Sequence, residues 1–430
     1  MARASAGRRD KQGQKKRKKR QWGSPPPLIR DSESPGPEGL AIIGEISSSL
    51  GGILWKAYRS MLLWAETDEA DRVNLYGKRN AESRRRREID MYVPDEEIEL
   101  REPLEVLLAL IAAPEEGDRS EVAHAAHRIA KWAALQGYTR TQMEFLCVAA
   151  LSEPTNARYA YLVGTTARSR GQLGMAEAWY VRAIALARRS KEWDPYIRAY
   201  LEHGLMMLDK GALPTARGSL IKAYRRAVRQ GLRKPRAESL RGLVTLEVAA
   251  DDPIEAAKHA EEAAGVLNPS DPEATDLVRE VVHFWLRSGY FEPALVVLRE
   301  LAEAVPRPLL PEALGAFARA AAGAGDEAAF EEARERLSRL TGGPGVPEAW
   351  LEVGRAASHL GKSQVTEEAA AHADRLSRQQ PGSQIGFMAG ILRQQSAANI
   401  GLGDPAEDEG GHQASLAETL ASLLREARHS

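Results

Sequence analysis

The sequence contains one cysteine, Cys147, and aromatic residues make up only 6% of its 430 residues. A single cysteine excludes an intramolecular disulfide, which is typical of proteins in a reducing compartment, so we expect a cytoplasmic location. Long apolar runs are also lacking. The most apolar stretch, residues 40–65, is interrupted by Glu45, Lys56 and Arg59, so we expect no transmembrane segment.

Motifs for catalysis and nucleotide binding are absent as well. Nothing fits the phosphate-binding pattern G-x-x-x-x-G-K-[ST] or the zinc-protease pattern H-E-x-x-H. His124 and His127 are three residues apart on a predicted helix, but a metal site needs three or four convergent ligands. Cys147 lies in the apolar segment 145–149, a setting that favours core packing over a reactive thiol. We therefore predict no enzyme activity, no metal and no cofactor.

The net charge of −1 conceals an uneven distribution of charge. Residues 1–20 carry ten basic side chains and one acidic side chain. Residues 180–241 have fifteen basic against five acidic residues, whereas residues 242–379 have thirteen basic against twenty-four acidic residues. Because a run of like charges followed by several prolines does not form a packed core, residues 1–39 are predicted to be a disordered basic tail.

Residues 40–65 are predicted to form an amphipathic helix, since apolar residues recur there at three- and four-residue steps. We expect Gly51-Gly52 to weaken or kink the middle of this helix. Two roles fit the segment. The helix docks on the following array and shields its first apolar face, or it works with the basic tail as a tether on an anionic membrane surface.

Small residues and turn residues recur at fixed offsets through the middle of the chain. From Gly164 the sequence has Gly171 at +7, Ala176 at +12 and Tyr180 at +16. Equivalent starting positions fall at 130, 204, 245, 282, 318 and 354, and the turn residues at +7 are Gly137, Gly211, Asp252, Gly289 and Gly325 for the first five of them. Small residues at the start and at +12 allow two antiparallel helices to approach closely, and glycine at +7 suits the turn between them.

This pattern resembles the tetratricopeptide repeat family, whose motif combines Leu-Gly and Tyr with a later Ala, Phe, Ala and Pro. The matching residues are Val163-Gly164, Ala176, Tyr180 and Ala183, the segment 289–294, and Trp350 with Val353-Gly354. The resemblance implies an all-α fold, a TPR-like α-solenoid of antiparallel helix pairs. It also implies a function in binding other proteins.

The predicted organisation has five segments. They are the tail 1–39, the N-terminal helix with a charged linker 40–103, the repeat array 104–381, an acidic, glycine-containing linker 382–414 and a C-terminal amphipathic helix 415–430. Ser415 followed by Glu418 has the pattern of a capping box, which places the start of the last helix at Ser415.

Two surfaces are candidates for binding. The first helices of the pairs are expected to line a groove, and the register places there His127, Arg128, Lys131, Arg158, Tyr161 and Arg198. The second surface consists of cations that share one helix face by their spacing, with one more in the next turn: Lys222, Arg225, Arg226, Arg229 and Arg233. That face is either a solvated outer surface or an anion-binding surface.

We predict a non-catalytic scaffold that mediates protein–protein interaction, with a partner protein or peptide that is acidic in character because the groove candidates include several cations. The alternative is a nucleic-acid-associated regulatory protein that uses the basic tail and the basic belt at 222–236. No aromatic residue other than Tyr224 is interleaved with that belt, so base stacking lacks support.

Overall fold

The computed structural model describes residues 39–76, 82–378, 384–395, 401–408 and 410–429, except for the side chains of residues 82–84 and 395. These residues are mostly helical, and none of them forms a β-strand. The chain divides into two compact units, the N-terminal unit Met1–Pro195 and the C-terminal unit Tyr196–Ser430. The predicted tail, apart from Gly39, lies outside the described residues.

The described part of the N-terminal unit is built from antiparallel helix pairs preceded by four other α-helices. Its helices are α1 (Leu40–Glu45), α2 (Ser49–Glu66), α3 (Glu82–Tyr92), α4 (Arg101–Ala109), α5 (Arg119–Leu135), α6 (Thr139–Ser152), α7 (Ala157–Ser169) and α8 (Leu173–Ser190). Helices α5 and α6 pack as one pair, and α7 and α8 pack as the next.

The contact between α7 and α8 explains the small residues of the repeat. A Cβ atom added at Gly164 would lie 2.8 Å from Cδ1 of Tyr180 and 3.4 Å from the carbonyl oxygen of Ala176. Ala176 and Tyr180 are fully buried, so there is no space for a larger residue at position 164. Gly171, the predicted turn residue, has a φ of 74°, which is the left-handed conformation that favours glycine.

The segment predicted as one helix at 40–65 forms two helices, with a break after Ile46. Helix α2 continues through Gly51 and Gly52, so the break in this segment lies before the two glycines. A Cβ atom at Gly51 would lie only 1.9 Å from the carbonyl oxygen of Ile46. Gly51 therefore leaves space for the carbonyl group of Ile46, which lies at the break between α1 and α2.

Helix α2 docks within the N-terminal unit, where it packs against α4 and α6. Trp64 is fully buried and donates the hydrogen of its Nε1 to the carbonyl oxygen of Pro114 at 2.7 Å. Glu45 accepts hydrogen bonds from the backbone N–H groups of Arg140 and Thr141 at the start of α6. The apolar stripe of this segment thus faces protein. Along the described ranges, no helix combines the length and apolar character that a membrane crossing requires.

The boundary between the units falls in the first turn of α9 (Trp193–Asp209). The remaining helices are α10 (Leu213–Gln230), α11 (Arg233–Ala249), α12 (Pro253–Ala264), α13 (Pro272–Ser288), α14 (Phe291–Ala304), α15 (Leu310–Gly323), α16 (Glu327–Ser338), α17 (Val346–His359), α18 (Ser363–Ser377), α19 (Ile385–Gln395) and α20 (His412–His429).

The C-terminal unit repeats the close contact seen between α7 and α8. A Cβ atom at Gly204 on α9 would lie 2.8 Å from Cγ of Leu220 on α10. In the next pair the predicted register is wrong by one residue. Thr245 is exposed, and Asp251, not Asp252, adopts the left-handed turn with a φ of 58°. Asp252 instead caps α12, because its carboxylate accepts the N–H of Glu255.

Helix α20 packs against α12 and α14. The Gln413 side chain is buried: its Oε1 accepts from Nε1 of Trp285 at 2.7 Å, and its Nε2 donates to the carbonyl oxygen of Pro253 at 2.9 Å. The predicted capping box is wrong, since the helix begins at His412. Asp408 accepts hydrogen bonds from the backbone N–H groups of Gln413 and Ala414 in the first turn of α20.

Candidate functional site

Four of the predicted groove residues lie around one cavity in the N-terminal unit, with a volume of about 380 Å³. Three of them, His127, Arg128 and Lys131, share one face of α5, because their spacing follows the helical repeat. Arg158 is in the first turn of α7. Three residues that the prediction left out of the groove complete the lining: His124, Asn156 and Tyr159.

Asn156 positions the α7 side of the cavity. Its Oδ1 accepts hydrogen bonds from the backbone N–H groups of Arg158 and Tyr159, and its Nδ2 donates to Glu153. It is therefore the N-cap residue of α7, a role for which asparagine is strongly preferred. An asparagine directly before a helical pattern is a signal in the sequence, and it would have located this edge of the cavity.

The cavity is electropositive. Among its described lining residues none is acidic, and Lys131 and Arg158 are exposed. Arg128 forms an ion pair with Glu102 at 2.7 Å, and three quarters of that Glu102 side chain is exposed. Burial, together with the smaller effects of the charges of Arg158, His124 and Lys131, lowers the pKa of His127 to about 4. His127 is thus neutral at pH 7, and the cations around it provide the positive charge.

The other two predicted groove residues are not part of this cavity lining. The Tyr161 ring lies 6.4 Å from the Tyr180 ring, centroid to centroid. Arg198 belongs to the C-terminal unit, where its charge lowers the pKa of Glu238 against the larger, raising effect of burial. The predicted set of six therefore divides between the two units.

The predicted basic surface is on α10 and the start of α11 in the C-terminal unit, and it contains two aromatic rings that the spacing of its cations does not predict. Nζ of Lys222 lies 5.1 Å from the ring centre of Tyr200, and the Arg226 guanidinium lies 5.6 Å from that of Tyr196. These are cation–π contacts. The tyrosines come from α9, more than twenty residues earlier, so spacing within α10 gives no signal for them.

The remaining cations of the belt differ in their surroundings. Arg225 and Arg229 are exposed. Arg233 donates to the carbonyl oxygen of Val266 at 2.9 Å. Lys234 forms an ion pair with Glu273 at 2.6 Å, and the hydrogen bond that Lys234 donates to Glu273 raises the pKa of Lys234.

The cysteine and the side chains that commonly bind metals form no reactive cluster in the described part of the chain. Cys147 is half-buried, with its Sγ 3.8 Å from Sδ of Met143. No group of three or more His, Cys, Asp or Glu side chains is arranged to hold a metal ion among the described residues.

The paired helices, the small-residue contacts and the glycine turns define an all-α protein with a TPR-like solenoid fold, as predicted. No family model matches the sequence. A search of curated proteins finds no match either.

Solved structures with a similar arrangement include three helical-repeat proteins. PilF of Pseudomonas aeruginosa is 14% identical, with 65% of this chain and 98% of that chain covered and a TM-score of 0.38. A tetratricopeptide repeat protein from Parabacteroides merdae is 13% identical, with coverages of 64% and 98% and a TM-score of 0.42. A Rap protein complexed with competence and sporulation factor is 13% identical, with coverages of 86% and 99% and a TM-score of 0.38.

Proposed function

We propose that the protein is a non-catalytic scaffold that binds an acidic segment of a partner protein in the cavity between α5 and α7. The observation that carries the proposal is the convergence of Arg128, Lys131 and Arg158 on one cavity lined by no described acidic residue. Carboxylates form short, charge-assisted hydrogen bonds with such side chains.

The backbone around the cavity supports the same ligand chemistry. Helix α7 begins at the cavity, and the positive end of a helix favours a nearby negative charge. The rings of His127 and Tyr159 pack edge to face beside the cavity, with ring centroids 5.6 Å apart. A carboxylate bound there is partly removed from water, which strengthens its attraction to the cations.

Binding of nucleic acid through the basic surface is the weaker candidate. Base stacking needs free aromatic faces, and the rings of Tyr196 and Tyr200 have cations over them. Lys234 and Arg236 are in ion pairs with Glu273 and Glu262, so they are partly neutralised.

The test is the affinity of the full chain for a fluorescein-labelled peptide of six glutamates, measured by anisotropy. Lys131 and Arg158 are exposed, so the variant Lys131→Glu/Arg158→Glu should fold normally. We expect it to bind at least ~10-fold more weakly, a change of about 1.4 kcal/mol.

The matched control is Arg189→Glu/Lys191→Glu, which makes the same change in net charge on exposed residues of the same unit. Its affinity should stay within about twofold of the parent. An equal loss of affinity in both variants would show that the peptide responds only to net charge, and the proposal would be abandoned.

A further inference from the structure

Residues 401–408 lie in the segment predicted to be a linker, and they contact the C-terminal unit at two points. The backbone N–H of Leu402 donates to Nδ1 of His359, the last residue of α17, at 3.3 Å. The backbone N–H of Ala406 donates to the carbonyl oxygen of Gly289, the residue that follows α13, at 3.0 Å. The segment therefore connects the C-terminal ends of α13 and α17.

This connection is closely packed. A Cβ atom added at Gly289 would lie 2.4 Å from the carbonyl oxygen of Asp404 and 3.0 Å from the nitrogen of Ala406. Leu402 packs against the buried core of the unit. Ala406 lines the same cavity as Gly323, the last residue of α15. The segment thus runs past the end of α15 on its way between the other two helices.

The helices that the segment connects are not consecutive in the array. Helices α13, α15 and α17 are the first helices of three successive pairs, and α15 contacts both α13 and α17. In a helical solenoid each repeat packs on its neighbours alone. Residues 401–408 therefore add a direct connection between the first and the third of these pairs.

The reach of the segment limits how far apart these helices can lie. Ala406 is four positions after Leu402, and a chain of that length spans at most about 14 Å. Packed helices lie roughly 8–10 Å apart, so the axes of the first and third helix in a row are about 16–20 Å apart. These lengths are comparable once the two hydrogen bonds and the His359 side chain are included. The segment therefore has little slack.

Helices hold both ends of the segment in place. On one side α19 packs against α17 and α18, and on the other side α20 packs against α12, α13 and α14. Leu416, Leu420 and Leu424 of α20 are buried. Asp408 accepts hydrogen bonds from the first turn of α20, which fixes the end of the segment to that helix. The position of the segment thus depends on the docking of α20.

We propose that residues 401–408 form a tie that limits the separation of α13 and α17, and that the docking of α20 keeps this tie in place. Release of α20 would allow the two helices to move apart. This conformational device goes beyond the proposed function, since every residue that forms it belongs to the C-terminal unit.

The first experiment lengthens the tie and leaves α20 unchanged. Gly-Ser-Gly-Ser is inserted between Gly403 and Asp404 in the full chain carrying Cys147→Ser. Spin labels are attached at Arg287→Cys and Gln364→Cys, which are exposed positions in the last turn of α13 and the first turn of α18. We expect the distance distribution from double electron–electron resonance to extend by at least ~5 Å, because the insertion adds up to about 14 Å of reach.

The matched control places the same insertion between Gly401 and Leu402, outside the span between the two hydrogen bonds. Its distance distribution should equal that of the uninserted chain, because the reach from Leu402 to Ala406 is unchanged. Equal distributions for the two insertions would overturn the proposal.

The second experiment releases α20. Leu420 is buried and Ser415 is exposed on this helix. We expect Leu420→Asp to speed amide hydrogen exchange at the C-terminal end of α17 at least ~10-fold, and Ser415→Asp to change it less than about twofold. Faster exchange confined to α12, α13 and α14, the helices that α20 contacts, would overturn the proposal. The two insertions decide the question if Leu420→Asp does not fold.

Discussion

The N-terminal and C-terminal units share one way of packing helices but use their cations differently. In both units a glycine lies against a large side chain of the paired helix, Tyr180 in one and Leu220 in the other, with 2.8 Å between that side chain and an added Cβ. In the N-terminal cavity Lys131 and Arg158 are exposed on a lining without described acids. The packing therefore does not determine which groups are available to a ligand.

In the C-terminal unit many arginines are bound to acids of a neighbouring helix. Arg241 pairs with Glu280, Arg279 with Glu312, and Arg319 lies near Glu352. Each of these ion pairs joins the first helix of one helix pair to the first helix of the next helix pair. Partly exposed pairs of this kind each contribute little to stability, but they neutralise the surface. Lys131 and Arg158 in the N-terminal unit thus contribute positive charge to a cavity without described acids, whereas these arginines of the C-terminal unit lie beside acids.

The largest expected effect concerns the packing that the two units share. Ala176 and Ala216 are fully buried at equivalent positions. Replacing either by leucine should overpack the helix contact and lower the free energy of unfolding by ~1–3 kcal/mol. Ala178, two positions away and half-buried, is the control in urea unfolding. If Ala176→Leu destabilised no more than Ala178→Leu, the repeat register that places Ala176 at the helix contact would be wrong.

A smaller effect concerns the pH dependence of stability, through His127 of the N-terminal unit. The pKa of His127 is about 4 in the folded chain and about 6.5 when unfolded. As the pH falls below 6.5 the unfolded chain takes up this proton first, so stability present at pH 7 is lost as the pH approaches 4. Between pH 7 and pH 5 the loss should be about 1–2 kcal/mol.

The measurement is urea unfolding of the parent and of His127→Gln at both pH values, with the His127 pKa followed by NMR. Glutamine does not titrate in this range, so the variant should lose less stability than the parent on acidification. Equal losses, or a His127 pKa near 6.5, would contradict the burial of His127 among the cations that line this cavity.

The smallest expected effect compares exposed and paired cations within the C-terminal unit. Arg225 and Arg229 are exposed on α10, whereas Lys234 and Lys258 each form an ion pair with a glutamate. Reversing Arg225 and Arg229 to glutamate should change stability by less than ~0.5 kcal/mol. It should lower the salt needed for elution from heparin, because these charges are not neutralised by neighbours.

The control, Lys234→Glu/Lys258→Glu, makes the same change in net charge and should lower the elution salt less. Both variants are measured in the full chain, so any contribution of the basic tail is equal. If the two variants eluted at the same salt concentration, ion pairing would not explain the difference between the surfaces.

Local sequence was sufficient for the helix pairs and for most turns. Gly137, Gly171, Gly211, Gly289 and Gly325 all have positive φ, as the fixed offsets predicted. The same offsets placed the turn at Asp252 instead of Asp251, because aspartate suits both a left-handed turn and a helix cap. Only the packed structure distinguishes the two roles.

What the sequence determined by itself is the repeating pattern of small, large and turn residues, since each depends on neighbours within one helix pair. The tertiary structure decided which cations remain available. Tyr200 lies beneath Lys222, and Glu312 binds Arg279, although these partners are far apart in the chain. It also decided that α20 packs on α12 and α14. Such contacts depend on how helices are stacked, so periodicity within a single helix carries no information about them.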